Sequence, residues 1–458
     1  MKKAFLIFTA FLVVAWGSVA AETYTLEECV QMAVATDPNL VSFRNSVKTA
    51  GAGVWQSAGG FLPSASVSYN STEITSGPES PQLRETTITE LSGRVEADTV
   101  IFMPVFRDTL LLSGNPNDVK YKSHTAGISL NYTLFNGLQN VWNYLGSKAY
   151  KKGTDYNYAN ALSDVTFGIK AEYYLVLKAK NDLEVAKQTV GRSEELLKLF
   201  EEKYELGSAS LSEVLKQKVQ YGNDQLTLLQ AEKNLEFYLD DLAVDIGLDP
   251  QTEYDIADLD LRKAQISNIN DLIAKATQGH PSVLGSQANI DVANYDVRSA
   301  WGSYMPNLSV GYSYSWSKDR FSDIIKFGSF DHSSRLSVTL SYNVFDGFSR
   351  EYNMSRAKAS LNNARASQLN TRHQVIRDIR DAHLDITVAD KTLSVTEESE
   401  RAASEDMDLV QAKYNLGAAA LWELLDAQVS LKSAQFNKVR AEFDYNLALA
   451  KLQNAMGE

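Results

Sequence analysis

Two short runs set a cation, an aromatic hydroxyl and carboxylates close together: Lys203-Tyr204-Glu205-Leu206-Gly207 and Lys413-Tyr414-Asn415-Leu416-Gly417. Acids follow each run, Glu213 after the first and Glu423 and Asp426 after the second. Gly207 and Gly417 suit the left-handed position that ends a helix, and the acids suit the positive end of the next one. A helix stop accounts for the glycines but not for the tyrosines paired with acids beside them. Elsewhere the residue types that carry catalysis are scattered. His124, His280, His332, His373 and His383 show no metal-ligand spacing and are expected at the surface. No Gly-rich phosphate loop follows a strand, and nothing marks a Ser-His-Asp set. The chain reads as having no catalytic constellation, no metal site and no cofactor.

Residues 1–21 have the layout of a cleaved secretory signal: Lys2 and Lys3, an apolar run from Ala4 to Trp16, and small residues up to Ala20 and Ala21. The run is shorter than the roughly 20 residues of a spanning helix, and no later segment is apolar enough for one. Across 458 residues the formal net charge is −13, which disfavours a nucleic-acid partner. Cys29 is the sole cysteine, so no intrachain disulfide can form. Glu27-Glu28 precede it, which does not suit a lipid-modified cysteine, and a buried thiol is expected.

The elements that must position the two runs occur twice. Asp37-Pro38 and Leu62-Pro63 return 243 positions later as His280-Pro281 and Met305-Pro306. Phe135-Asn136-Gly137 and the first Lys-Tyr run return 210 positions later, the former as Phe345-Asp346-Gly347. The first copy therefore carries 33 extra residues before its Phe-x-Gly turn. Such a repeat constrains topology and divides the chain into a signal at 1–21, a first unit at 22–248 and a second at 249–458. Thr25 and Glu28 make a capping box for a helix to about Thr36, with Asn268 and Asp271 at the matching places. Asp37 caps the next helix, with Pro38 at its first position. Residues 138–203 and 348–413 hold no proline and predict helices of about 99 Å, too long for an ordinary globular domain. Return helices of about 54 Å follow at 211–246 and 421–456, and a helix of about 35 Å precedes the strands. The two shorter helices can stack end to end beside the long one.

Between the helices the period changes to two. Ala65, Val67 and Tyr69 alternate with serines; so do Ile128, Leu130, Tyr132 and Leu134 with small polar residues, and likewise residues 308–316 and 336–344. One face is apolar and the other polar. A soluble sandwich and an outer-membrane barrel both produce that pattern, while strand lengths of about 10 residues and the aromatics Tyr312, Tyr314 and Trp316 favour the barrel. Residues 76–120 and 317–333 are expected as exposed loops, with a short strand around Glu90–Phe102. Four strands cannot close a barrel, and open edges in lipid would leave backbone groups unpaired. Two copies would supply eight strands, and three would supply twelve and a wider lumen.

With this order of elements, and with KYELGSASLSEVL at 203–215 and KYNLGAAALWELLDAQ at 413–428, nearly the whole mature chain resembles the TolC-like outer-membrane efflux proteins. The resemblance implies a mainly α fold with a small β-barrel portion: a homotrimer whose twelve strands form a barrel in outer-membrane lipid and continue into a periplasmic α-helical barrel. It further implies a passive exit duct served by a periplasmic membrane-fusion adaptor and an inner-membrane transporter of the RND, ABC or MFS type. Drug efflux and type I secretion both fit. The adaptor would meet the tip turns at Lys203, Tyr204 and Gly207 and at Lys413 and Gly417. A periplasmic gate would use a hydrogen bond between Glu213 and Tyr414, with Glu423 and Asp426 as acidic rings. The sequence departs from some members at Ala419, where they carry a basic gate residue. The alternative is a secreted or periplasmic structural coiled-coil protein with a soluble β sandwich.

Overall fold

The computed structural model of the chain describes residues 22–77, 82–96, 99–113, 119–249, 252–259, 268–324 and 332–458. The expected signal segment and part of the 317–333 stretch lie outside the described residues. In chain order the first half runs β1 (Glu22–Tyr24), α1 (Leu26–Thr36), α2 (Pro38–Gly59), β2 (Ser64–Ser76), β3 (Gln82–Glu96), β4 (Thr99–Ser113), β5 (Val119–Asn136), α3 (Gln139–Glu205) and α4 (Leu211–Ile246). The second half runs β6 (Tyr254–Ile256), α5 (Ile269–Gly279), α6 (Pro281–Gly302), β7 (Asn307–Lys318), the single turn α7 (Phe321–Ile324), β8 (His332–Ser341), α8 (Ser349–Asn415) and α9 (Leu421–Ala455).

Equivalent helices match in length: α1 and α5 have 11 residues each, α2 and α6 have 22, and α3 and α8 have 67. At 1.5 Å per residue the longest pair extends about 100 Å. Local chemistry sets the starts. The Glu28 N–H donates to Thr25 Oγ1 at 3.3 Å while the Thr25 N–H donates to Glu28 Oε2 at 2.8 Å, a reciprocal cap. Asp37 accepts from the Leu40 N–H at 2.7 Å. In the second half Asn268 caps through the Asn270 N–H, without a reciprocal bond from Asp271 among the described residues.

The chain splits into two compact units, a mainly helical one that also holds β1 and β6, and one of residues 55–144 and 298–355 that holds the other strands and the adjoining helix ends. In the helical unit, Leu26 and Cys29 of α1, Tyr173, Val176 and Leu177 of α3, Leu242 and Ile246 of α4 and Phe443 of α9 share one core. Burial pushes the Cys29 thiol up to about 11, in keeping with an inert packing residue. β1 and β6 pair in parallel, and the Tyr173 hydroxyl donates to the Ala257 carbonyl at 2.6 Å and to that of Tyr24 at 3.3 Å. Three-residue strands carry no readable period, which is why the sequence gives no sign of them. His280 corrects the expectation of surface histidines: it is buried beside Asn454 and Gly457 at the end of the chain, and its Nδ1 accepts from the Ser282 N–H at 3.2 Å, capping α6 where Asp37 caps α2.

The β unit holds a four-stranded antiparallel sheet in the order β2-β5-β7-β8. Its edge strands β2 and β8 each have one strand neighbour. Residues 76–120 are not simply a loop with one short strand. β3 and β4 pair from Gln82↔Ser113 to Glu96↔Thr99, and five residues separate them from β2 and β5 on each arm, so this hairpin is nested inside the β2–β5 hairpin in the same register. Thr, Ile and Val occur in both arms and Phe in β4, while most glycines and prolines of the stretch sit in the two short connections. Pro104 lies within the unbroken β4, a position tolerated where a two-stranded ribbon has an outer edge needing no donor. β8 stops at Ser341, opposite the first residue of β7, so Tyr342 and Val344 lie beyond the strand expected to include them.

Candidate functional site

The two Lys-Tyr runs close the long helices with the same backbone device. The Ser208 N–H donates to the Lys203 carbonyl at 2.8 Å and the Gly207 N–H to that of Tyr204 at 2.9 Å; Ala418 and Gly417 do likewise to Lys413 and Tyr414 at 2.8 and 3.0 Å. Gly207 and Gly417 have φ of 71° and 74°, where a Cβ would be strained. Leu206 and Leu416 stand at the apices, 83% and 84% exposed.

The following turns differ in one atom that matters. Ser210 accepts from the Glu213 N–H at 3.3 Å, and Glu213 Oε2 accepts from the Ser210 N–H at 2.7 Å. Ala420 holds the equivalent place without a hydroxyl, leaving Glu423 Oε1 accepting from the Ala420 N–H at 3.3 Å. Both acids are thus engaged by backbone at helix N-termini, where the dipole favours them. Asp426 is exposed.

Tyr414 is half-buried. Its ring lies 5.3 Å from that of Phe200, which is fully buried, and Lys203 Nζ is 4.6 Å from its centroid. Burial first, and then the nearby Glu213 carboxylate, raise the tyrosine above its ordinary value. Tyr414 and Glu213 are therefore within electrostatic range, yet among the described residues no hydrogen bond joins them. Phe200 and the placement of Lys203 over the ring were missed by sequence reading, since the contact joins residues two hundred positions apart. Also missed was a buried ion pair, Lys432 Nζ to Asp224 Oδ1 at 2.9 Å, joining α9 to α4 with Thr227 and Gln220 as further partners. Its position near the repeat offset is the one signal that could have suggested it.

One titratable cleft is lined by Asp164, His280, Asp378, Asp381 and Lys451. Burial lowers the His280 pKa, and its ring is occupied by Ser282 and by the Asn454 backbone. Among the described residues no group of His, Cys, Asp and Glu could hold a metal ion, and no helix is long and apolar enough to cross a membrane.

The chain is thus a duplicated one of very long helices with a four-stranded antiparallel sheet. Residues 29–247 and 272–458 match the family model of the outer membrane efflux proteins, and the chain belongs to that family. It is similar to the outer membrane protein TolC of Vibrio cholerae, 22% identical over 342 residues that cover 73% of this chain and 76% of that one. The pyoverdine export outer membrane protein OpmQ of Pseudomonas aeruginosa is 23% identical over 338 residues, 73% and 69% of the two chains. Among solved structures, the Campylobacter jejuni CmeC outer membrane channel matches with a TM-score of 0.74 at 16% identity, over 100% of this chain and 94% of that one. The Vibrio cholerae outer membrane protein VceC matches at 0.73 and 16%, over 94% and 96%.

Proposed function

We propose that three copies of this chain form the outer-membrane exit duct of a tripartite system, conducting substrate passively and catalysing nothing. The observation that carries the reading is the sheet. It has two edge strands with free outer edges and an apolar face on which Val67 is 80% exposed and Leu336, Val338 and Leu340 are mostly exposed. Lipid accepts such a face, and closure with neighbouring copies removes the edges at a saving of several kcal/mol per unpaired group. Twelve strands then make the barrel, and the long helices of the repeated unit make the periplasmic tube. The exposed apical Leu206 and Leu416 support docking of a periplasmic adaptor on the tip turns, where Lys203, Tyr204, Gly207, Lys413 and Gly417 lie. That adaptor would link the duct to an inner-membrane transporter of the RND, ABC or MFS type.

The gate reading is part of the proposal. Glu213 and Tyr414 hold the tip closed, and Glu423 and Asp426, repeated in three copies, give the aperture a cation preference. Purified protein in planar bilayers should give discrete, cation-preferring openings. Combining Glu213→Ala with Tyr414→Phe should raise single-channel conductance, and unchanged conductance would remove both from the gate. A protein that gives no openings and is released as a soluble periplasmic monomer would instead match the coiled-coil alternative.

A further inference from the structure

The internal duplication gives the contact at Tyr414 a second meaning. Lys203, from the first half, lies over a ring of the second half at 4.6 Å, with Phe200 behind it. Each member has a counterpart 210 positions on: Lys413 for Lys203, Val410 for Phe200, and Tyr414 itself for Tyr204. The counterpart contact, Lys413 with Tyr204, is not made within the chain. Both side chains are exposed, Tyr204 at 45%, and no ring or ammonium group of the described residues packs against Tyr204.

In a ring of alternating first and second halves, passing from a first half to its own second half is nearly the same rotation as passing from that second half to the next copy's first half. A contact made across one step is available across the other, as in any closed heterologous ring. We propose that Lys413 of one copy lies over the Tyr204 ring of the next, so that intrachain and interchain ammonium–aromatic clasps alternate around the tip. This rests on the reading of the chain as a ring of copies. The two clasps are unequal. An ammonium over a tyrosine face is attracted by the ring quadrupole in both, but Phe200 backs one ring, whereas its counterpart Val410 is not aromatic, is buried in its own chain's core and offers no ring to the other. The interchain clasp is therefore the weaker, and the tip parts first between copies, at Tyr204.

Cross-linking in the intact membrane tests this. Tyr204→Cys and Lys413→Cys are combined and treated with a short bismaleimide, with Lys203→Cys plus Tyr414→Cys as the intrachain control; Cys29 is fully buried and stays in place. On a denaturing gel the Tyr204/Lys413 pair should leave the monomer band for dimers and trimers, while the control pair and each single variant stay at monomer mobility. If the unboiled protein runs as a trimer and the Tyr204/Lys413 pair still does not cross-link between copies, the clasp is overturned and the duct reading survives. A protein that is monomeric unboiled overturns both. A second measurement reads the chemistry: Tyr204→Leu and Lys413→Met should raise the frequency of channel openings several-fold above that of Tyr204→Phe, which keeps the ring face. Equal effects of Phe and Leu at position 204 would overturn a clasp made by the ring face.

Discussion

Helices α4 and α9 hold equivalent places in the two halves and present different surfaces. α9 buries residues along its length, among them Leu424, Leu431, Phe443 and Tyr445. α4 leaves Leu215, Val219, Leu226, Leu229, Phe237 and Val244 exposed, at spacings that keep them on one stripe. The long helices differ in the opposite sense: α3 buries Tyr173, Val176 and Leu177, while α8 exposes Leu384, Val388, Val395 and Leu409 along a stripe of its own. On the proposed reading of the duct as a ring of copies, these two exposed stripes, one from each half, are where one copy would meet the next.

The sharpest way to break this comparison is a pair of truncations. Phe443→Ala in the core should cost about 3–5 kcal/mol, read as a lower melting temperature in detergent. Phe237→Ala, at a side chain 55% exposed, should leave the fold of each chain intact and weaken the association of copies, seen as a shift from trimer to monomer on an unboiled gel. Equal melting losses without dissociation would mean that the α4 stripe is not a seam. Next comes the ion pair joining these two helices. Asp224→Ala leaves Lys432 largely buried without its carboxylate and should cost about 3 kcal/mol, recovered in part by also making Lys432→Met.

A smaller effect separates the two tips. Ser210→Ala should lose about 1 kcal/mol of helix capping, and Ala420→Ser should gain roughly half as much or more, both measured by denaturant melts. The smallest is a pH effect at His280. Burial lowers its folded pKa below the ordinary value, so the unfolded chain binds the proton first as pH falls. Stability from this residue is complete above the ordinary histidine pKa and is lost as pH falls from there toward the folded value. His280→Gln should flatten that part of the pH–stability curve relative to wild type. Glu172, Asp245, Asp296 and Glu442 act with the opposite sign in the carboxylate range, since burial raises them and acid therefore favours the folded form.

Much of the fold was legible because its signals are long. Two proline-free stretches of helical composition, two turn glycines and four alternating runs have periods that survive any choice of boundary. The β3–β4 ribbon was read mainly as loop because the glycines and prolines that flank it suggested irregular structure, while the strand-forming residues between them alternate poorly. The β1–β6 pair is too short to carry a period, and buried His280 looked like any isolated histidine. At the tip, the turns and the two helix-capping acids follow from residue type and spacing. The packing of Tyr414 against Phe200 and Lys203 does not, because it depends on which halves lie side by side.

The central claim is that one chain is a part of the wall and several copies are the duct. Native mass spectrometry of the detergent-extracted protein tests it most directly. The account predicts an assembly of three chains that releases single chains when Phe237→Ala is introduced. A wild-type protein recorded only as a folded single chain would contradict it.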